Sequence, residues 1–255
     1  MTLPSFPTGI SRGPLFSAIA AGLLLTACAA PEVPPPSEEE LTGLAHSVLE
    51  EAVYTGGILR ECGGVGPQLK QHSEDLTLLW LDQHGDALAG ADAQYTRSLE
   101  EESFEYRGKT LALAAIELSH EARRRAREEL RLSGRSLNNQ RIVCERRLNQ
   151  LEEDLGKRPY LDRDSEREKL ALRALEAYPS ERTDLDGLPS LGGAVPMGMA
   201  PGRSYHRLEE QVRRECTESR FTVIENEWPR EAYGVFCEGE PYQVIACEWG
   251  ECREL

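Results

Sequence analysis

The residues with the widest choice of chemistry are seven cysteines: Cys28, Cys62, Cys144, Cys216, Cys237, Cys247 and Cys252. A cysteine can close a disulfide, ligate a metal as thiolate, or act as a nucleophile. A redox dithiol is disfavoured, because no Cys-x-x-Cys occurs and Cys247 and Cys252 have four residues between them. A zinc site is disfavoured too, since no His pair stands near these cysteines at ligand spacing. The six after Cys28 are an even number and read as three disulfides. Cys62 and Cys144 each fall on the apolar stripe of a predicted helix, where packed helices can be bridged. The other four lie between residues 216 and 252 and are expected to pair there. Cys216–Cys237 with Cys247–Cys252 would tie a helix to a sheet and close a terminal turn. Cys216–Cys247 with Cys237–Cys252 is the competing arrangement.

Other catalytic patterns are missing. Of His46, His72, His84, His120 and His206, no two are three or four residues apart, so a His-Glu-x-x-His zinc motif is excluded. His72 sits on an apolar helical stripe and reads as a packed imidazole. There is no Gly-x-Ser-x-Gly elbow. Gly63-Gly64-Val65-Gly66-Pro67 lacks the preceding strand and the Lys and Ser/Thr of a phosphate loop, so it reads as a helix stop and turn. Asp162/Asp164 and Asp184/Asp186 lack EF-hand spacing and read as loop acids. No catalytic residue, metal site or cofactor is therefore expected. A glycan or cell-wall hydrolase stays open as an alternative, because carboxylates gathered from different helices leave no local motif.

The formal net charge of -15 argues against the whole chain coating nucleic acid or anionic lipid. One segment runs against that background. Between residues 123 and 147, nine arginines face three glutamates, a net +6. Arg123, Arg124, Arg125, Arg127, Arg131 and Arg135 form a candidate site for an anionic polymer or partner. The competing reading is a solvated helical hairpin whose arginines pair with acids such as Glu100 to Glu102. The tail is comparatively aromatic, and Tyr233, Tyr242 and Trp249 are candidate partner-binding residues.

At the N-terminus, Arg12 is the only charged residue before Cys28. An apolar run from Leu15 to Leu25 follows, too short for the roughly 20 residues of a spanning helix. Basic start, short apolar core and small residues at its end describe a secretory signal. The sequence Leu25-Thr26-Ala27-Cys28 resembles the lipobox of bacterial lipoproteins. That resemblance implies cleavage before Cys28, acylation of its thiol and attachment to a membrane through the lipid. Ala29 rather than Asp after the cysteine implies the outer membrane, with the chain facing the periplasm. An envelope protein or peptidoglycan is then the expected partner, and nucleic acid is not. The resemblance covers the targeting segment only.

The elements that must position these residues follow from periodicity. Pro31, Pro34, Pro35 and Pro36 make residues 28–37 an extended tether. Ser37 and Glu40 have the form of a capping box. Leu41, Ala45, Val48, Ala52, Thr55, Leu59 and Cys62 recur at helical spacing, and Pro67 suits the first turn of a second helix carrying Leu69, His72, Leu76, Trp80, Ala87 and Ala91. A third helix is predicted through Phe104, Leu111, Ala115, Leu118 and Ala122, and a fourth through Leu137, Cys144, Leu148, Leu151 and Leu155. A shorter fifth opens at Ser165. Pro- and Gly-rich residues 179–203 read as a flexible linker. Residues 204–215 suit a helix, and Phe221–Glu225, Ala232–Glu238 and Tyr242–Trp249 suit strands. The predicted fold is mainly α: a signal (1–27), a tether (28–37), an antiparallel helical bundle (38–178), the linker, and a small disulfide-rich α+β module (204–255) of one helix and a three-stranded antiparallel sheet. Anchored modules without a catalytic constellation suggest a scaffold or binding role in the envelope.

Overall fold

Residues 34–157 and 165–255 are described by a computed structural model. The signal, Cys28 and the Asp162/Asp164 pair lie outside the described residues. The first helix, α1 (Glu38–Gly63), starts where the capping box requires. Ser37 N–H donates to the Glu40 carboxylate at 2.7 Å, and Glu40 N–H donates to Ser37 Oγ at 3.2 Å. Its predicted stripe is buried from Ala45 to Cys62. The glycine turn ends it, and Pro67 opens α2 (Pro67–Ser98). This helix continues through Gly90, where a Cβ would stand 2.1 Å from the Leu175 carbonyl oxygen. Glycine serves close packing there rather than a helix break.

The predicted third helix is shorter than expected. Phe104 and Leu111 instead lie on a hairpin, β1 (Ser103–Tyr106) and β2 (Lys109–Ala112), and face each other across it. A separation of seven residues satisfies both a helical face and this cross-strand register. The turn decides between them: Arg107 and Gly108 both take left-handed φ, 54° and 73°, as a tight two-residue hairpin demands. The helix α3 (Leu113–Leu130) follows, then α4 (Leu137–Lys157) and α5 (Glu166–Leu175). A short turn makes α1 and α2 antiparallel neighbours, while α3 packs on α1 and α4 mainly on α2. Leu49, Ile58, Trp80, Leu88, Leu148 and Leu151 fill the space between helices, and Cys62–Cys144 bolts the end of α1 to α4.

Residues 179–203 are not a loose linker but a strap laid on the bundle. Leu185, Leu188, Leu191 and Val195 are buried. Its backbone is tied down as well: Ser180 N–H donates to Asp86, Ser190 N–H to Asp92, and Ala112 N–H to the Leu191 carbonyl. Gly192 lies so close to α3 that a Cβ would fall 2.4 Å from Ile116 N. The four aliphatic side chains anchor a segment whose Pro and Gly content conceals them.

The tail forms α6 (Tyr205–Val212) and the strands β3 (Ser219–Glu227), β4 (Arg230–Cys237), β5 (Glu240–Glu248) and β6 (Glu251–Glu254), in one antiparallel sheet of order β3-β4-β5-β6. The fourth strand, one more than expected, has no strand-like composition. It exists because Trp249 and Gly250 turn the chain with φ of 56° and 84° and set Cys247 opposite Cys252. The disulfides Cys216–Cys237 and Cys247–Cys252 follow the preferred arrangement. Both sheet faces are covered. Tyr233, Val235 and Ile245 pack with Leu208 and Val212 of α6. Ala232, Phe236 and Val244 pack with Leu111, Leu113, Ile116 and Val195. Hairpin, strap and α3 therefore join the tail to the bundle, and residues 35–255 make one compact unit.

Candidate functional site

Two turns at one end of the sheet place two indoles side by side. Trp228 occupies the β3–β4 turn and Trp249 the β5–β6 turn, with 46% and 69% of their surfaces exposed. The rings meet edge to face at 5.8 Å between centroids, within the range that favours aromatic pairs. Trp249 N–H donates to the Pro229 carbonyl at 2.9 Å. The Cys247–Cys252 bridge clamps the strands on either side of this turn. The Arg203 guanidinium lies 4.7 Å over the Trp228 ring.

Trp249 borders a cleft of about 740 Å³ between the β1–β2 hairpin and strands β4 to β6. Its wall is a fixed polar lattice. Tyr106 O–H and Arg107 both donate to Glu225, and Arg107 also lies 3.8 Å from Glu227. Arg230 reaches Glu225 at 3.8 Å and Glu227 at 3.5 Å. Burial, and then donation to Glu225, push the Tyr106 phenol well above its ordinary pKa. Both carboxylates are thus committed to guanidinium partners, an arrangement that holds a surface in shape. Glu248, Glu251 and Arg253 complete the lining on the exposed side.

Behind this end of the sheet, Glu231 is 1% exposed. It accepts hydrogen bonds from Arg203 N–H at 2.8 Å, Ser204 N–H at 2.9 Å and Tyr233 O–H at 2.6 Å. Burial opposes its ionisation, but these donors outweigh burial and hold the carboxyl below its usual range. Glu231 therefore caps the start of α6 from across the sheet and positions the backbone of Arg203, whose side chain stacks on Trp228. Gly202 is required beside it, because a Cβ there would lie 2.3 Å from the Glu231 carboxyl carbon.

The aromatic candidates separate on this geometry. Trp249 is on the cleft. Tyr233 is wholly buried and cannot contact a partner; its ring packs in the sheet core and its hydroxyl accepts from Gly202 N–H at 2.9 Å. Tyr242 is 47% exposed, reaches Glu215 at 3.3 Å and stands apart from the cleft lining. Trp228 was missed. Its signal was a Trp-Pro dipeptide between two predicted strands, a turn position that exposes the ring.

The arginine cluster separates too. Arg125 pairs with Glu50 and lies 4.4 Å over the Tyr54 ring, and Arg127 pairs with Glu61 at 2.7 Å. Arg124 pairs within its own helix with Glu121 at 2.8 Å, and Arg123 donates to the Gly193 carbonyl at 2.7 Å. Burial, then the charges of Arg60 and Arg127, lower the Arg123 pKa to about 10. Arg123, Arg125 and Arg127 serve the α3 seam with α1 and the strap, and the acidic partners of these four arginines are Glu50, Glu61, Glu121 and Glu128 rather than Glu100 to Glu102. Arg131 and Arg135 stay exposed at the bundle tip and donate to the backbone carbonyls of Glu128 and Arg131.

The histidines are dispersed. His84 is 5% exposed against the Trp80 ring, and burial pushes its pKa down to about 4. His72 is half-buried and meets Glu152 at 3.3 Å. Among the described residues no group of three His, Cys, Asp or Glu side chains is placed to hold a metal ion, and no helix is long and apolar enough to cross a membrane. No protein-family model, curated protein or solved structure matches this chain.

Proposed function

We propose that this chain is a lipid-anchored envelope protein with a non-catalytic binding role, and that its C-terminal module presents the cleft beside Trp249 to a partner. The observation that carries the binding role is the exposed Trp228–Trp249 pair. Two large apolar rings held in water do not serve the core, yet a disulfide, a backbone hydrogen bond and a guanidinium stack converge to hold them. The anchor reading rests on the lipobox-like residues ending in Cys28, and the pairing of all six cysteines among the described residues is compatible with an oxidising compartment.

Two measurements test the reading. Metabolic acyl labelling should mark the full chain and vanish in Cys28→Ala, which should also release the protein from membranes; an unlabelled wild type rejects the anchor. A photo-crosslinking amino acid at position 249 should capture an envelope component, and an empty crosslink profile rejects the binding role. Deleting residues 204–255 is a poor substitute, since it would uncover Leu111, Leu113 and Ile116. A second reading draws on Arg131 and Arg135, which leave positive charge at the bundle tip. Salt-sensitive cosedimentation with isolated sacculi, lost in Arg131→Ala/Arg135→Ala, would support contact with an anionic polymer there.

A further inference from the structure

We infer that the cleft beside Trp249 takes a pyranose oligosaccharide free of acidic groups. The inference rests on the binding role proposed above and adds the chemical class of the ligand. The volume of about 740 Å³ lies within the range of ligand sites and accommodates several linked sugar rings.

Charge narrows the class. At the cleft Arg107 and Arg230 are taken up by Glu225 and Glu227, so the carboxylates of Glu105, Glu248 and Glu251 face the guanidinium of Arg253 alone and the lining is net acidic. An anionic ligand would meet three carboxylates and a single uncommitted guanidinium. A purely apolar ligand would strip water from all of these charges. A ligand rich in hydroxyls and free of acidic groups avoids both costs, because every hydroxyl both donates and accepts.

The division of labour inside the cleft fits the same class. Arg107 and Arg230 are spent on Glu225 and Glu227. Among the described residues Glu248, Glu251 and Arg253 make no ion pair, so their oxygens and N–H groups can meet vicinal hydroxyls. Trp249 adds what such a ligand needs on its other side. A pyranose ring has an apolar face of C–H groups, and an indole held in place offers it a flat partner at little ordering cost. Fixing the ring through the clamped turn, the Trp228 contact and the Arg203 stack removes rotamer freedom that binding would otherwise have to remove.

Tryptophan emission reads the site directly. Of the chain's three tryptophans, Trp80 is 0% exposed, so iodide quenching reports on Trp228 and Trp249. The full chain is titrated with cellotetraose, chitotetraose and maltotetraose. At least one should protect the emission from iodide saturably, with an affinity unchanged between low and high NaCl. Trp249→Ala should weaken that binding by about tenfold or more, the effect of losing roughly one stacking contact. Glu248→Gln/Glu251→Gln, which leaves the indoles untouched, should weaken it as well and serves if Trp249→Ala disturbs the turn. Binding that survives both variants overturns the inference. If no tetraose protects the emission while position 249 crosslinks to an envelope protein, the oligosaccharide is overturned and the binding role stands. If neither occurs, both fall.

Discussion

Removing the three disulfides one at a time should destabilise the fold in the order of the loops they close. The sequence separations are 82 for Cys62–Cys144, 21 for Cys216–Cys237 and 5 for Cys247–Cys252. Loop-closure entropy then assigns them about 4.5, about 3.3 and about 2 kcal/mol. Paired alanine substitutions are the right perturbation. Cys62 and Cys144 are 0% exposed, and serine would bury two hydroxyls where two sulfurs now pack. For a fold of this size each kcal/mol shifts the melting temperature by roughly 2–4 °C, so Cys62→Ala/Cys144→Ala should lose about 9–18 °C and Cys247→Ala/Cys252→Ala about 4–8 °C. Urea unfolding followed by far- and near-ultraviolet circular dichroism gives both the ranking and a check that each variant keeps its native packing. The reasoning is refuted if the bridge closing the shortest loop costs as much as the one closing the longest. Native-state contacts around each sulfur, rather than the freedom of the unfolded chain, would then dominate.

Acid should destabilise the fold before ordinary carboxylates titrate, because His84 is buried neutral with its pKa pushed down to about 4 from an unfolded value of 6.5. Its contribution is intact above pH 6.5, declines as pH falls from there toward 4 and is lost below, about 3 kcal/mol in all. His84→Leu should flatten that part of the stability profile, leaving a shallower slope from His120, which is shifted in the same direction; an unchanged profile refutes the assignment. Glu231→Ala should cost about 3 kcal/mol or more in chemical unfolding, since it strands two backbone N–H groups and the Tyr233 hydroxyl. It should also alter the emission of Trp228 through the displaced Arg203, whereas Glu231→Gln should be milder. Gly192→Ala should lift the strap from α3, at a cost of about 1–3 kcal/mol. Limited proteolysis within residues 179–203 should then accelerate while the Cys216–Cys237 and Cys247–Cys252 bridges stay intact by peptide mapping.

The bundle was legible in the sequence because its signals are local. A capping box, a proline at a helix start and stripes at three- and four-residue spacing each restrict a few neighbouring residues, and the same stripes located Cys62 and Cys144 on facing helices. What escaped depended on distant partners. Phe104 and Leu111 obey a helical spacing and a hairpin register equally, and only the left-handed Arg107-Gly108 turn separates the two. The strap is ordered by side chains and backbone of α2, β2 and α3, none of which its own composition reveals. The strand β6 is imposed by a turn and a disulfide on residues with no strand preference. The site was half legible. Trp249 could be named as an aromatic in a turn-rich tail, but its coupling to Trp228 and Arg203 requires the turns of two hairpins to meet. Charge counting located the arginine cluster but could not show that Glu50 and Glu61, some 65 to 75 residues earlier, pair with Arg125 and Arg127.

The hairpin inserted between α2 and α3 also sets an order of events during synthesis. Leu111 lies more than a hundred residues ahead of Ala232, Phe236 and Val244, against which it packs. At about 5–20 residues per second the hairpin and the start of α3 wait roughly 6–27 s for the strands that cover them. For that interval the strap's Val195 and Met199 are the cover that has already emerged for Leu111, Leu113 and Ile116, and most of their apolar surface awaits the sheet. Export before folding, or a holding chaperone, would keep that surface from being covered by another chain.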